Sequence, residues 1–217
     1  MAHPRFNRLP PDRRKAILDV AAEEFAEHGF DGASYNRIIE RAGLSKGVAY
    51  YYFEGKDDLY ATVLETTVAG LVDRVGEWKA PRDAEDFWSQ LRRIYFALLD
   101  FVMNDERSAR LLRGLSQARM NPKLQDAWLR FETPLAGWLQ RVLADGREVG
   151  AVRTDVPEDL LLVAMMGIGQ ATDFWLLEQW ERHGAHALRR SAEQVLSLFE
   201  DLATERPPGK APRGRKR

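Results

Sequence analysis

Lys46, Gly47, Val48, Tyr50 and Tyr51 stand almost side by side in the stretch Ser34 to Lys56, SYNRIIERAGLSKGVAYYYFEGK. Their types suit the surface of a DNA duplex. Lys46 is a point charge fit for a phosphate or a guanine edge, and Val48 offers methyl groups to the methyl of a thymine. Gly47 removes side-chain bulk and permits a close backbone approach. Tyr50 and Tyr51 are rigid hydroxyl donors for phosphate oxygens, and Lys56 brings a further charge at the start of the next helix. Tyr50, Tyr51 and Tyr52 follow one another on a short helix and point in three directions, which argues against a purely packed element.

Such a set must be held by two short helices and a tight turn. Ser34 can cap the first helix by accepting a backbone N–H. Ile38, Ile39 and Ala42 give that helix an apolar face. Gly43 falls where the chain must turn sharply, since glycine reaches positive φ at little cost. Leu44 is expected to plug the angle between the helices. Ser45 is placed to cap the second helix and counts with the contact residues at its N-terminal end. Ala49 and Phe53 are spaced to face the core together, which leaves Lys46, Gly47, Val48, Tyr50 and Tyr51 outward. The N-terminal end of such a helix meets base edges, and its free N–H groups can meet phosphates. Upstream, Leu18, Ala21, Ala22 and Phe25 predict a helix over 13–28 that Gly29 stops. Together these helices make a three-helix helix-turn-helix DNA-binding domain over residues 1–55. Arg5, Arg8, Arg13, Arg14 and Lys15 form a basic arm at its start, read either as a phosphate contact or as disorder.

The run AGLSKGVAYYYFEGKDDLY resembles the signature of the TetR family of bacterial transcription regulators, which commonly reads AG-x-SKG-x-x-Y-Y-x-F-x-x-K-x-x-L. Ala42, Gly43, Ser45, Lys46, Gly47, Tyr50, Tyr51, Phe53, Lys56 and Leu59 are in register with it. The resemblance implies base or phosphate contacts by Tyr35, Asn36, Lys46, Gly47, Val48, Tyr50, Tyr51 and Lys56. There are departures from the pattern. Ile39 stands where the family usually has a small residue, Ala49 where it usually has leucine, and Tyr52 where histidine is frequent. The Ile39 and Ala49 exchange conserves volume between two packed positions, which cores tolerate best.

The chain of 217 residues holds 32 Lys and Arg against 33 Asp and Glu, but the charge is uneven. Residues 1–56 carry nine basic and eight acidic residues, residues 57–205 seventeen and twenty-five, and residues 206–217 six and none. An acidic middle is a poor DNA surface, so contact with DNA belongs to the ends. No apolar run reaches the roughly 18 residues of a membrane span. The first residues, MAHPRFNRLPPDRRK, lack the apolar core of a signal peptide, so a cytoplasmic protein is expected. Without cysteine there is no disulfide or thiolate metal site.

Downstream, a helix from Lys56 to about Trp78 is expected to bridge to a larger helical domain over 56–205. Further helices are expected at 84–103, 106–119, 122–147, 157–181 and 185–204, and no stretch has the period of a strand. The chain as a whole is thus expected to be all-α. The tail 206–217 reads as disordered and solubilising. Leu188, Ala192, Val195, Phe199 and Leu202 form a narrow heptad seam. The helix before it is apolar nearly all round, with Gly167, Gly169 and Ala171 permitting close approach. Burial against the chain's own core is one reading of this helix; the favoured one is a homodimer meeting through a four-helix bundle, with Gly167 and the seam as its contacts.

Trp128, Phe131, Met166 and Phe174, with Gln170 and Asp173 as polar orienters, are candidates for the lining of a small-molecule pocket. The alternative for each is ordinary core. His183 and His186 are read as a surface loop about Gly184, not a metal site. Gly167-Ile168-Gly169 lacks the strand that a dinucleotide fingerprint needs. No catalytic constellation, cofactor or metal is expected. The resemblance implies a repressor released from a palindromic operator in double-stranded DNA by a small apolar or aromatic effector. Transcriptional activation, or DNA-binding regulation without an effector, stays open.

Overall fold

The computed structural model describes residues 4–118 and 121–205, and for a few helical positions, Asp173, Phe174 and residues 183–187 among them, the backbone alone. The basic tail 206–217 lies outside the described residues. The described residues are helical throughout, without a strand. A 3-10 turn, Phe6–Arg8, precedes α1 (Pro11–Gly32), α2 (Tyr35–Arg41), α3 (Lys46–Tyr52) and α4 (Lys56–Val75). Then follow α5 (Ala84–Asn104), α6 (Glu106–Ala118), α7 (Gln125–Glu148) and α8 (Glu158–Ala203). The expected stop at Gly29 appears as a break inside α1, where Gly29 adopts φ 65°. Gly76, at φ 80°, ends α4 slightly before the expected Trp78. Among the described residues no helix is long and apolar enough to cross a membrane.

The chain divides into two compact units. One comprises Met1–Glu77 with Ile94–Gly137, the other Trp78–Arg93 with Trp138–Arg217. In the first, a continuous core joins Ile17, Ala21 and Phe25 of α1 to Ile38 of α2, Phe53, Leu59 and Tyr60 of α4, Leu111 of α6 and Trp128 of α7. Tyr60 lies 4.8 Å edge-on to Phe25 and 5.3 Å from Phe30. The three N-terminal helices therefore share their core with α4, α6 and the start of α7. Burying these rings and aliphatic chains supplies the main stabilisation, at about 25 cal/mol per Å² of apolar surface.

In the second unit Phe87, Val142, Leu143, Val152, Leu161 and Met165 form the core. Gly146 makes it possible, because a Cβ there would lie 2.6 Å from Phe87 Cε2. Its carbonyl then accepts the N–H groups of Ala151 at 2.8 Å and Val152 at 3.0 Å, while Gly150, at φ 70°, turns the chain out of α7.

Helix α8 corrects one expectation and qualifies another. Helical backbone runs through Gly184 and the His183–His186 stretch, where the sequence reading places a loop. Yet a Cβ on Gly169 would sit 3.8 Å from Phe199 Cζ. About thirty residues of straight helix span roughly 45 Å, so the run doubles back between these positions, an interval that contains Gly184. Doubling back turns the heptad seam inward. Leu188, Ala192 and Val195 are buried within the single chain, and Phe199 and Leu202 pack on the second core. Leu188, Ala192 and Val195 are thus covered by the chain's own fold, while Phe199 and Leu202 stay partly exposed. Gly167, by contrast, is exposed, with open space where its Cβ would be.

Candidate nucleic-acid interface

Two serine caps set the reading head. The Ser34 hydroxyl accepts the Arg37 N–H at the start of α2, and the Ser45 hydroxyl accepts the Val48 N–H at the start of α3, both at 3.3 Å. Between them Gly43 takes φ 62°, and its N–H donates to the Glu40 carbonyl at 3.0 Å. Each cap satisfies a backbone donor that the first helical turn leaves unpaired. Arg13 of α1 reaches the other end of α2, donating to the carbonyls of Ala42 at 3.0 Å and Gly43 at 3.4 Å. A cation is favoured there by the helix dipole.

On α3 the expected division of faces is present. Ala49 and Phe53 are each 1% exposed, whereas Ser45, Lys46, Gly47, Val48, Tyr50 and Tyr51 are open to solvent. Nothing lies within 4 Å of the place a Gly47 Cβ would take. Ile39 and Ala49, the exchanged pair, are both buried. Tyr52 is half-buried, with its ring 5.8 Å from Phe6. That packing contact gives Tyr52 a place in the fold.

Three residues that the resemblance carried to DNA are placed differently from one another. Asn36 is exposed on α2. Tyr35 stacks edge-on to Tyr50 at 5.6 Å, and its hydroxyl is buried without a hydrogen-bond partner among the described residues. Burial, then Tyr50 and the acids Asp58 and Asp57, push its pKa up to about 12. Lys56 is partly exposed. Its ammonium donates to the carbonyls of Ala33 at 3.1 Å and Asp31 at 3.3 Å and lies 4.6 Å from the Phe30 ring. It closes α4 onto the end of α1.

The basic arm is ordered from its first described residues, and its cations divide by role. Arg13 holds the α2 carbonyls, Arg14 donates to the Asn7 carbonyl at 2.7 Å, and Lys15 pairs with Asp19. Arg5 and Arg8 are exposed.

The candidate pocket residues are divided between the two units. Trp128, 8% exposed, and Phe131 pack in the first core, where the Trp128 indole donates to Glu132 at 2.9 Å. Met166 and Gln170 lie partly buried in the second unit. The side chains of Asp173 and Phe174 lie outside the described residues. A shallow groove of about 650 Å³ in the second unit is lined instead by Arg153, Ile168, Ala171, Thr172, Leu198, Asp201 and Leu202.

A profile of bacterial regulatory proteins of the tetR family matches residues 17–63, the span from α1 into α4. The HTH-type transcriptional repressor SCO4008 of Streptomyces coelicolor is 33% identical over 161 residues, 71% of this chain and 77% of that protein. The chain belongs to the TetR family. Its members are helix-turn-helix transcription regulators, and the matched span contains α2 and α3. The HTH-type transcriptional activator FasR of Mycolicibacterium smegmatis is 39% identical over 109 residues, 50% of this chain and 49% of that protein. The fold agrees with a regulator FadR from Bacillus subtilis, solved in complex with stearoyl-CoA. The TM-score is 0.64 at 19% identity, over 85% of this chain and 96% of that one.

Sequence reading missed three residues of this TetR head. Phe6, 2% exposed, was hidden inside a basic arm. Arg13 was grouped by charge with its neighbours, though its partners lie on α2. Glu24, 1% exposed, had a visible signal: it sits at the apolar spacing of Ile17, Ala21 and Phe25, where a lone carboxylate requires partners.

Proposed function

We propose that the chain is a ligand-responsive repressor that binds a palindromic operator as a homodimer and is released by a small apolar or aromatic effector. The exposure of Lys46, Gly47, Val48, Tyr50 and Tyr51 on one capped helix carries this reading. Residues 1–55 form the reading head and residues 56–205 the regulatory body. Lys46 and the α3 N–H groups meet phosphate or guanine, Val48 a thymine methyl, and the two tyrosines phosphate oxygens. A two-fold pair of heads reads half-sites about 34–36 Å apart.

The homodimer meets through the first part of α8. Leu160 and Val163 are 58% and 68% exposed there, and Gly167, Ala171 and Trp175 continue the same apolar stripe. Such a stripe gains by burial against its copy. The effector belongs in the helical body, and the stearoyl-CoA held by the FadR relative supports a long apolar ligand. Its entry displaces α4. Because Lys56 ties the first turn of α4 to the carbonyls of Asp31 and Ala33, that displacement pulls on the head. A shift from 1:99 to 99:1 needs a differential affinity of about 5.5 kcal/mol.

The test is footprinting of the DNA upstream of the chain's own coding region. A protected palindrome, lost in a Lys46→Ala/Tyr50→Phe double variant that remains dimeric, supports the reading. Unchanged protection by that variant removes α3 as the reading helix. FasR is named an activator, which favours activation as the second reading. A reporter whose output falls on deleting the regulator selects it.

A further inference from the structure

The arm before α1 is docked against the recognition helix by a buried aromatic anchor. Phe6 lies 4.7 Å from the Phe53 ring and 5.8 Å from that of Tyr52, at the end of α3. The 3-10 turn fixes the residues on either side, with Leu9 donating to the Phe6 carbonyl at 3.1 Å and Arg8 to the Arg5 carbonyl at 3.3 Å. Arg14 clasps the Asn7 carbonyl at 2.7 Å. Arg5 is thereby held over Tyr51, its guanidinium carbon 4.3 Å from the ring centroid. Tyr51 is half exposed on the face that carries Lys46 and Tyr50.

We propose that Arg5 and Tyr51 form a paired phosphate-binding site for the DNA backbone, extending the interface from α3 onto the N-terminal arm. The inference rests on the DNA-reading role of α3 given above. Stacking engages the guanidinium plane and leaves its N–H fork free, which is the geometry that grips a phosphate through two parallel bonds. The Tyr51 hydroxyl, at the far end of the same ring, donates to the same backbone. No carboxylate pairs with Arg5 among the described residues, whereas Arg13, Arg14 and Lys15 are held by groups of their own chain. The ring contact orients Arg5 before DNA arrives, so little of its freedom remains to be lost on binding.

Salt dependence reads the claim directly, because each neutralised phosphate adds about 0.9 to the slope of log affinity against log salt. The full-length protein is titrated with the footprinted fragment and with an unrelated duplex of equal length. Arg5→Gln is expected to weaken binding to both duplexes several-fold and to make the slope shallower by about 0.9. Arg5→Lys is expected to restore the slope. Wild-type affinity and slope in Arg5→Gln overturn the proposal. So does lost affinity at an unchanged slope, which makes Arg5 a prop for Tyr51, and so does a loss confined to the operator, which assigns it to a base edge. Arg5 is exposed, so the variant should fold, and a matched melting curve checks that. Failure of the wild-type protein to bind any duplex overturns the earlier reading instead.

Discussion

The Glu24 carboxylate of α1, almost wholly buried, receives the Arg37 guanidinium of α2 at 3.1 Å. It also accepts the Ser34 N–H at 2.9 Å, and Arg41 stands 3.8 Å from its second oxygen. One side chain thus holds both the N-terminal residue and the outer face of α2. The arrangement sets the angle from which α3 departs.

Removing that carboxylate leaves the Ser34 N–H without its acceptor and Arg37 without this ion pair, while Arg41 keeps Glu23 at 2.7 Å. Glu24→Ala is expected to lower stability by about 2 kcal/mol, read by urea unfolding. Arg37→Ala should cost clearly less, since Arg41 and the Ser34 N–H still serve Glu24. Equal losses in the two variants would contradict the hub role of Glu24.

Gly47 is a test of close approach. A Cβ there meets nothing in the free protein, and alanine favours helix over glycine by up to about 1 kcal/mol. Gly47→Ala should therefore melt no lower than the parent. Its affinity for the operator should nevertheless fall at least tenfold, or about 1.4 kcal/mol, if the α3 backbone lies against the duplex. Parental affinity would show that the backbone stands off the DNA.

Tyr60 makes the fold alkali-sensitive. Burial raises its pKa from 10.0 to about 12, so between those values the unfolded chain ionises while the folded one holds its proton. The stability is therefore complete below pH 10 and falls as pH rises toward 12. At about 1.4 kcal/mol per pH unit, Tyr60's share is at most about 2.7 kcal/mol. Tyr60→Phe keeps the ring against Phe25 and Phe30, so its unfolding free energy should decline less over this window. Parallel curves for the two proteins would exclude Tyr60 as the source.

Much of the reading head was legible in the residues themselves. The caps at Ser34 and Ser45, the turn at Gly43 and the inward pair Ala49 and Phe53 all act within four residues of chain. Helix period and cap chemistry are local, so spacing alone predicts them. The same locality explains why Gly29 announced its break and why Lys46, Gly47, Val48, Tyr50 and Tyr51 could be assigned an outward face.

Destinations of long side chains were not legible, because they depend on which backbone a fold brings within reach. Lys56 finds its carbonyls 23 and 25 residues away and Arg13 its own 29 and 30 away. Charge and position suggested phosphate for both, and in the fold each donates to backbone carbonyls of distant helix ends. The heptad seam was a true apolar stripe, but the doubling back of α8 decided that the chain itself would cover Leu188, Ala192 and Val195. Sequence determined which surfaces are apolar, charged or capped, since those are properties of residue type and short-range geometry. Tertiary structure alone decided which of them meet each other, since burial and long-range hydrogen bonds are satisfied only once distant helices have packed.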